Sequence, residues 1–269
     1  MNNKLEEFYQ SWSDKPENVI KYYDEAAVRK VDEIFKGMPE IKELPIRSML
    51  DFGCGYGKVL QNCVDKLALT NAYGFDFSEQ SIDYANAKFA TDGLEYYRLQ
   101  TLNIDENVRY IQSVISGGRV DCILLIDLLE HVPDCERLIL KLSELTDYFV
   151  IKLPIEENVI DNYFLKKIYP STKHYNGHLR EFTVNSVHYF IRKLGLTPIA
   201  EGVNIYSFKD SYPPQTAKTG LLRSVMRNLL KGVRIVLAQI LPPKIYLRLI
   251  GPGSYCCVAT FNKDHILNP

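Results

Sequence analysis

The segment Asp51-Phe-Gly-Cys-Gly-Tyr-Gly57 constrains the fold more than any other part of this chain. It follows the run Arg47 to Phe52, which ends in the apolar Met49, Leu50 and Phe52, and precedes a helix-like stretch from Lys58. Glycine adopts positive φ and leaves room for a ligand against the main chain, so the segment reads as strand, tight turn, helix. The unit recurs. Ala72 to Phe77 is strand-like, Ser78 is placed to cap a helix, and Ile82, Ala85 and Phe89 fall on one face of it. Tyr96 to Asn103 supplies a third strand. Asp121-Cys-Ile-Leu-Leu-Ile-Asp127 is an apolar run bracketed by carboxylates, as in a strand buried on both faces. Phe149 to Leu153 is a fifth strand. Thr183 is an N-cap for a helix presenting Val184, Val187, Ile191 and Leu194, with Gly195 as its stop. Pro198 to Phe208 and Gly253 to Phe261 complete the set. Strands alternating with helices predict an α/β fold with a mostly parallel sheet covered on both faces.

The glycine spacing discriminates between ligands. A dinucleotide fingerprint started at Gly53 needs glycine at position 58, which is lysine, and no G-K-[ST] follows for a phosphate-binding loop. The pattern present, D-x-G-x-G-x-G, puts an acid two residues before the first glycine and suits a cofactor that carries an ammonium group. Nineteen residues after Gly57, the run Gly74-Phe-Asp-Phe-Ser78 places Asp76 at the end of the second strand, where a carboxylate can accept both hydroxyls of a ribose.

Together these segments resemble class I S-adenosylmethionine-dependent methyltransferases, and the stretch Gly177-His-Leu-Arg-Glu-Phe-Thr183 is similar to a segment of the small-molecule members found in bacterial surface-glycan and natural-product pathways. Leu50 to Gly57 is similar to their first motif, Gly74 to Ser78 to their ribose motif, and Val120 to Val132 to their fourth-strand motif. The resemblance implies a Rossmann-like sheet of seven strands whose last strand is antiparallel, and S-adenosylmethionine as cofactor. It implies that Asp51 sits near the amino-acid end of the cofactor, that Gly53, Cys54, Gly55 and Gly57 pass beneath it, and that Asp76 holds the ribose. Phe77 would pack on the adenine, Asn103, Ile104 or Asp105 would meet its edge, and Asp127 completes the expected site.

Methyl transfer is an in-line displacement, so the protein must align an acceptor lone pair and remove a proton. Ile126-Asp-Leu-Leu-Glu-His-Val-Pro-Asp134 brings Asp127, Glu130 and His131 to the carboxyl end of the sheet. His174-Tyr-Asn-Gly-His-Leu-Arg-Glu-Phe-Thr183 adds His174, His178 and Arg180 after the fifth strand. Three readings stand. His131 or His178 is the general base, with Glu130 beside it and Arg180 orienting the acceptor or bracing the loop. Alternatively Glu130, Arg180 and His178 pair to pin that loop. Or Asp127, Glu130, His131 and His178 bind a divalent metal, an arrangement resembling metal-assisted methyltransferases of ubiquinone precursors and small-RNA 3′ ends. Tyr163, Phe164, Tyr169 and Tyr175 in the same insertion suit stacking on a sugar or ring, or a small core of their own.

Charge is unevenly distributed. The chain carries 32 Lys and Arg against 33 Asp and Glu, a net charge of -1, yet from Ser211 to Ile250 there is no acid and seven bases: Lys218, Arg223, Arg227, Lys231, Arg234, Lys244 and Arg248. The rest of the chain therefore stands at -8. The basic residues punctuate an apolar helix expected over 219–241, ended by Pro242-Pro243 and followed by Lys244-Ile-Tyr-Leu-Arg-Leu-Ile250. Such a pattern fits contact with an anionic membrane surface through 219–250, or packing on the domain or a second subunit. Nucleic acid is disfavoured, since no aromatic residue interleaves the basic stripe. Basic residues recur too often for a bilayer span. The six cysteines have no paired C-x-x-C spacing and the first residues, MNNKLEEFYQ, lack an apolar signal core, which predicts a cytoplasmic protein, with peripheral membrane contact at the inner face as a further expectation.

The expected organisation is a helical cap over 1–46 and a methyltransferase domain over 47–269, carrying a substrate loop at 154–182 and a basic amphipathic insertion at 209–252. The expected reaction is O-methylation of a small molecule, such as a nucleotide-linked or lipid-linked sugar. N-methylation of an amino sugar, O-methylation of a quinone-type ring and a non-catalytic cofactor-binding scaffold are the alternatives.

Overall fold

A computed structural model describes residues 17–156, 159, 178–206 and 232–262. The first aromatic residues (Phe8, Tyr9, Trp12), His174 with Tyr163, Phe164, Tyr169 and Tyr175, and the basic residues Lys218, Arg223, Arg227 and Lys231 lie outside the described residues.

Helix α1 (Glu17–Gly37) is followed by a short 3-10 turn at Pro39–Glu43. Then come β1 (Ser48–Phe52), α2 (Lys58–Leu67), β2 (Asn71–Asp76), α3 (Glu79–Phe89), β3 (Leu94–Arg98), α4 (Ile104–Val114), β4 (Cys122–Ile126), α5 (Cys135–Leu142) and β5 (Tyr148–Ile155). The chain continues as α6 (Val184–Lys193), β6 (Leu196–Ile205), helical residues 232–240 (α7), α8 (Pro243–Leu249) and β7 (Gly253–Phe261). The sheet order is β3-β2-β1-β4-β5-β7-β6. The pairs β1/β2, β1/β4, β2/β3 and β4/β5 are parallel, while β7 runs antiparallel to both β5 and β6.

Period-two alternation sorts the strand side chains into two cores. Ile123 and Leu125 of β4 join Phe149, Ile151 and Leu153 of β5 on the face covered by α4, α5, α6 and α8. Cys122, Leu124 and Ile126 join Val150 on the opposite face, beneath α1 and α2. Ala27, Val31, Ile34 and Phe35 are the buried stripe of α1, at helical spacing. The caps match the side chains: Ser78 Oγ accepts from Ser81 N, and Thr183 and Ser186 form a reciprocal capping pair.

The third strand differs from the sequence expectation. It spans Leu94–Arg98 rather than Tyr96 to Asn103, and Asn103 instead caps α4, its side chain accepting from Asp105 N. The local preference of asparagine for an N-cap outweighs strand continuation there. The sixth strand likewise begins at Leu196, directly after Gly195, and ends at Ile205. All six cysteines are buried as free thiols.

Candidate active site

Residues 53 to 57 turn back sharply over the carboxyl end of β1, with φ of 86° at Gly53, 51° at Gly55 and 81° at Gly57. Gly53 N and Cys54 N both donate to Phe75 O, and Gly55 N donates to Asp76 Oδ2 at 2.8 Å. The other oxygen, Asp76 Oδ1, accepts from Ser78 N. One carboxylate thus organises the glycine turn and the start of α3 together. Burial raises the Asp76 pKa above the ordinary value, partly offset by these backbone donors. Gly57 plays a packing part: a Cβ there would meet Tyr96 Cε1 at 2.7 Å and Ala85 Cβ at 2.8 Å.

The turn opens on a cavity of about 1160 Å³. Its walls include Asp51, Gly53, Cys54, Gly55, Asp76, Phe77, Asn103, Ile104, Asp127, Glu130, His131 and His178. Gly57, Asp105 and Arg180 lie outside that lining. Asp105 is paired with Arg137 and Lys141 instead. Helix α1 contributes Tyr22, Tyr23, Asp24, Ala27 and Lys30 to the wall. It is tied across the cavity by Tyr84 Oη donating to Asp24 Oδ2 and by the Tyr23–Tyr56 ring stack.

Two groups of charges divide the cavity. At one, Asp51 is buried, and desolvation, helped by the nearby Asp76 charge and opposed by Lys30, pushes its pKa up to about 7. Beside it, Asp127 sits at the end of β4 with φ 51°, accepting from Lys152 Nζ at 3.0 Å and from Lys30 Nζ at 2.8 Å. Burial works against the charged carboxylate, but the two ammonium groups win and hold Asp127 well below the usual carboxylate range. Lys152 is 1% exposed and also donates to Tyr206 Oη at 3.1 Å. Lys30, Lys152 and Tyr206 were not singled out by the sequence reading. A lysine inside the apolar run Phe149 to Leu153 was the available signal for Lys152; nothing local marks Lys30.

At the other, Glu130 is fully buried, and neither carboxylate oxygen has a hydrogen-bond partner among the described residues. Desolvation, reinforced by Asp127, pushes its pKa up to about 8. The rings of His131 and His178 meet edge to face at 4.7 Å. His178 Nδ1 lies 2.8 Å from Glu156 Oε2. Burial opposes protonation of His178, yet its hydrogen bond to Glu156 and the surrounding carboxylates raise its pKa overall. Glu130, His131 and His178 each bring a ligand-type atom within 4.8 Å of the others; Asp127, engaged by its two lysines, does not join them.

Arg180 holds this cluster in register. Its guanidinium donates to Leu129 O, Val132 O and Pro133 O and reaches Cys135 Sγ. Leu179 N donates to Glu130 O at 2.8 Å. These bonds dock residues 178–182 on the turn after β4.

A mostly parallel seven-stranded sheet with an antiparallel β7, and a glycine turn facing a strand-end carboxylate, define a Rossmann-like methyltransferase fold. A family model described as "Methyltransferase domain" matches residues 18–201. The chain belongs to that family and is an S-adenosylmethionine-dependent methyltransferase. Among solved structures, MccD is similar with a TM-score of 0.53 at 15% identity, covering 87% of this chain and 96% of its own. Magnesium protoporphyrin IX methyltransferase (ChlM) from Synechocystis PCC 6803, crystallised with bound SAH, is similar at 0.50 and 15%, covering 97% and 95%. The [4+2]-cyclase SpnF is similar at 0.51 and 11%, covering 87% and 80%. At these identities the likeness is one of fold. The comparison with curated proteins finds no match.

Proposed function

We propose that the chain transfers a methyl group to a hydroxyl of a small molecule such as a sugar carried on a nucleotide or a lipid. The observation that supports this best is the cluster of Glu130, His131 and His178 on the wall of the cavity that the glycine turn and Asp76 also line. The cavity fits S-adenosylmethionine. Gly53 and Gly55 expose backbone, Asp76 offers a carboxylate for the ribose hydroxyls, and Phe77, Leu99 and Ile104 supply an apolar wall for the adenine. Asp51 and Lys30 provide opposite charges for an ammonium and a carboxylate. When bound, the cofactor supplies an electrophilic methyl group on a sulfonium.

In this reading His178 takes the acceptor's proton, and Glu156 keeps the imidazole oriented and stabilises its charged form. His131 packs against it and limits its rotation. Arg180 acts as a positioning residue through the backbone carbonyls it binds. A lipid-linked acceptor would bring the enzyme to the cytoplasmic face of a membrane. The convergence of Glu130, His131 and His178 supports a second reading, a bound divalent ion that holds the acceptor oxygen.

Transfer of labelled methyl groups to separate soluble and lipid fractions of a host extract tests the proposal. Label is expected in a small hydroxylated product; label in neither fraction, with cofactor bound, counts against catalysis. Activity that EDTA abolishes and Mg²⁺ or Zn²⁺ restores moves the site to the metal reading.

Asp51 makes a separate prediction about pH. Its carboxyl is neutral well below pH 7 and ionised above, and only the ionised form attracts the cofactor's ammonium. Affinity for S-adenosylhomocysteine is therefore expected to rise with pH up to about 7, by at most about tenfold per pH unit, and then level off. Calorimetry of Asp51→Asn is expected to give a flat profile; an unchanged slope in that variant would remove Asp51 from the cofactor site.

A further inference from the structure

Six of the twelve exposed large hydrophobic side chains among the described residues fall between Val233 and Leu249. Scattered exposed apolar residues need no explanation, but a concentration of this kind marks a contact surface. Val233, Val236 and Ile240 lie on one side of α7 at spacings of three and four, and Ile240 is 69% exposed. Ile245 and Leu249, four residues apart on α8, are exposed as well. Other residues of these helices already have their core: Leu237, Ala238 and Leu241 are partly buried against the main hydrophobic cluster, and Tyr246 and Leu247 are fully buried within it. The outer residues are therefore surplus to folding.

We propose that this outer face of α7 and α8 docks on an anionic lipid bilayer. Charge selects the occupant. Lys244 and Arg248 are exposed beside the apolar residues, and no acid occurs anywhere from Ser211 to Ile250. Apolar side chains entering the interface, with cations at headgroup level, are what an anionic membrane surface accepts. A two-fold contact between copies would set this face against itself, cation against cation. Nucleic acid would leave the exposed Val and Ile side chains without a partner. The face also adjoins the active site: the chain passes from Leu249 to Pro252, which lines the cavity and accepts from Tyr206 N. An amphiphilic acceptor in the bilayer would thus lie near the cavity, although the docking itself does not depend on what the acceptor is.

The test is sedimentation of the full-length protein, loaded with S-adenosylhomocysteine, with phosphatidylglycerol-containing or pure phosphatidylcholine vesicles. No acceptor or methyl transfer enters this readout, so it stands or falls separately from the proposed reaction. Binding is expected only with anionic vesicles. Lys244→Gln with Arg248→Gln should weaken it about thirtyfold, from roughly fivefold per basic residue. Val236→Asp with Ile240→Asp should abolish it. All these side chains are exposed, and unchanged calorimetric affinity for S-adenosylhomocysteine verifies that each variant is folded. The proposal is overturned by absent binding, by equal binding to neutral vesicles, or by a dimer in ultracentrifugation that Val236→Asp with Ile240→Asp dissociates.

Discussion

Asp76→Ala is expected to weaken binding of S-adenosylmethionine by about a hundredfold. Hydrogen bonds to a charged group are worth roughly 1.5 to 3 kcal/mol each, and two ribose hydroxyls on one carboxylate place the loss near 3 kcal/mol, which is about two decades of affinity. The substitution acts twice. Asp76 also receives Gly55 N and Ser78 N, so its removal unhooks the glycine turn as well as taking away the proposed ribose contact. Asp76→Asn, which keeps an acceptor oxygen for one of these donors, is expected to lose less. Isothermal calorimetry with S-adenosylhomocysteine measures both, and an affinity unchanged by Asp76→Ala would remove this cavity as the cofactor site.

The second large effect lies in the cluster of Glu130, His131 and His178 on the wall of the same cavity. His178→Ala is expected to lower kcat by about 10² to 10⁴, the usual contribution of a positioned general base, while cofactor affinity stays within about twofold of the wild type. Glu156→Gln should cost less, roughly tenfold, because the imidazole remains but loses the carboxylate 2.8 Å from Nδ1. Arg180→Lys discriminates between chemistry and positioning. Lysine cannot span three carbonyls in the fork geometry of a guanidinium, so KM should rise along with the fall in kcat as residues 178–182 loosen. Steady-state rates for the three variants, set beside cofactor affinities, check the assignment. A His178→Ala enzyme with wild-type kcat would transfer the role to His131 or to a bound ion.

How far the sequence was legible depended on distance along the chain. The glycine turn, Asp76 and the Ser78 and Thr183 caps are local features, each determined by a few neighbouring residues, and they stood out by spacing alone. Topology put the segments of Glu130, His131 and His178 at the same carboxyl edge of the sheet, but their spacing left open whether the side chains converge, which the fold decides. Arg180 offered a choice between orienting the acceptor and bracing the loop, and its bonds to Leu129 O, Val132 O and Pro133 O favour the brace. Glu156 as the partner of His178, and Lys30 as a partner of Asp127, are contacts between distant segments with no periodicity to announce them. The third strand was placed too late because Asn103 suits either an extended run or an N-cap, and its local preference for the cap prevailed while the strand itself ends at Arg98.

Lys152 and Asp127 carry an implication for descent. A lysine 1% exposed is tolerable only while a carboxylate stands 3.0 Å away, and deleting one member of a buried ion pair typically costs about 3 to 5 kcal/mol, whereas replacing both with apolar residues can be neutral. Neither codon can therefore drift alone. Across a lineage the two positions should change hands together or not at all, and Lys30, whose side chain is partly exposed, is the member of the trio that can vary first. Covariation between positions 127 and 152 would mark which sister sequences keep the same buried pair at the cavity wall.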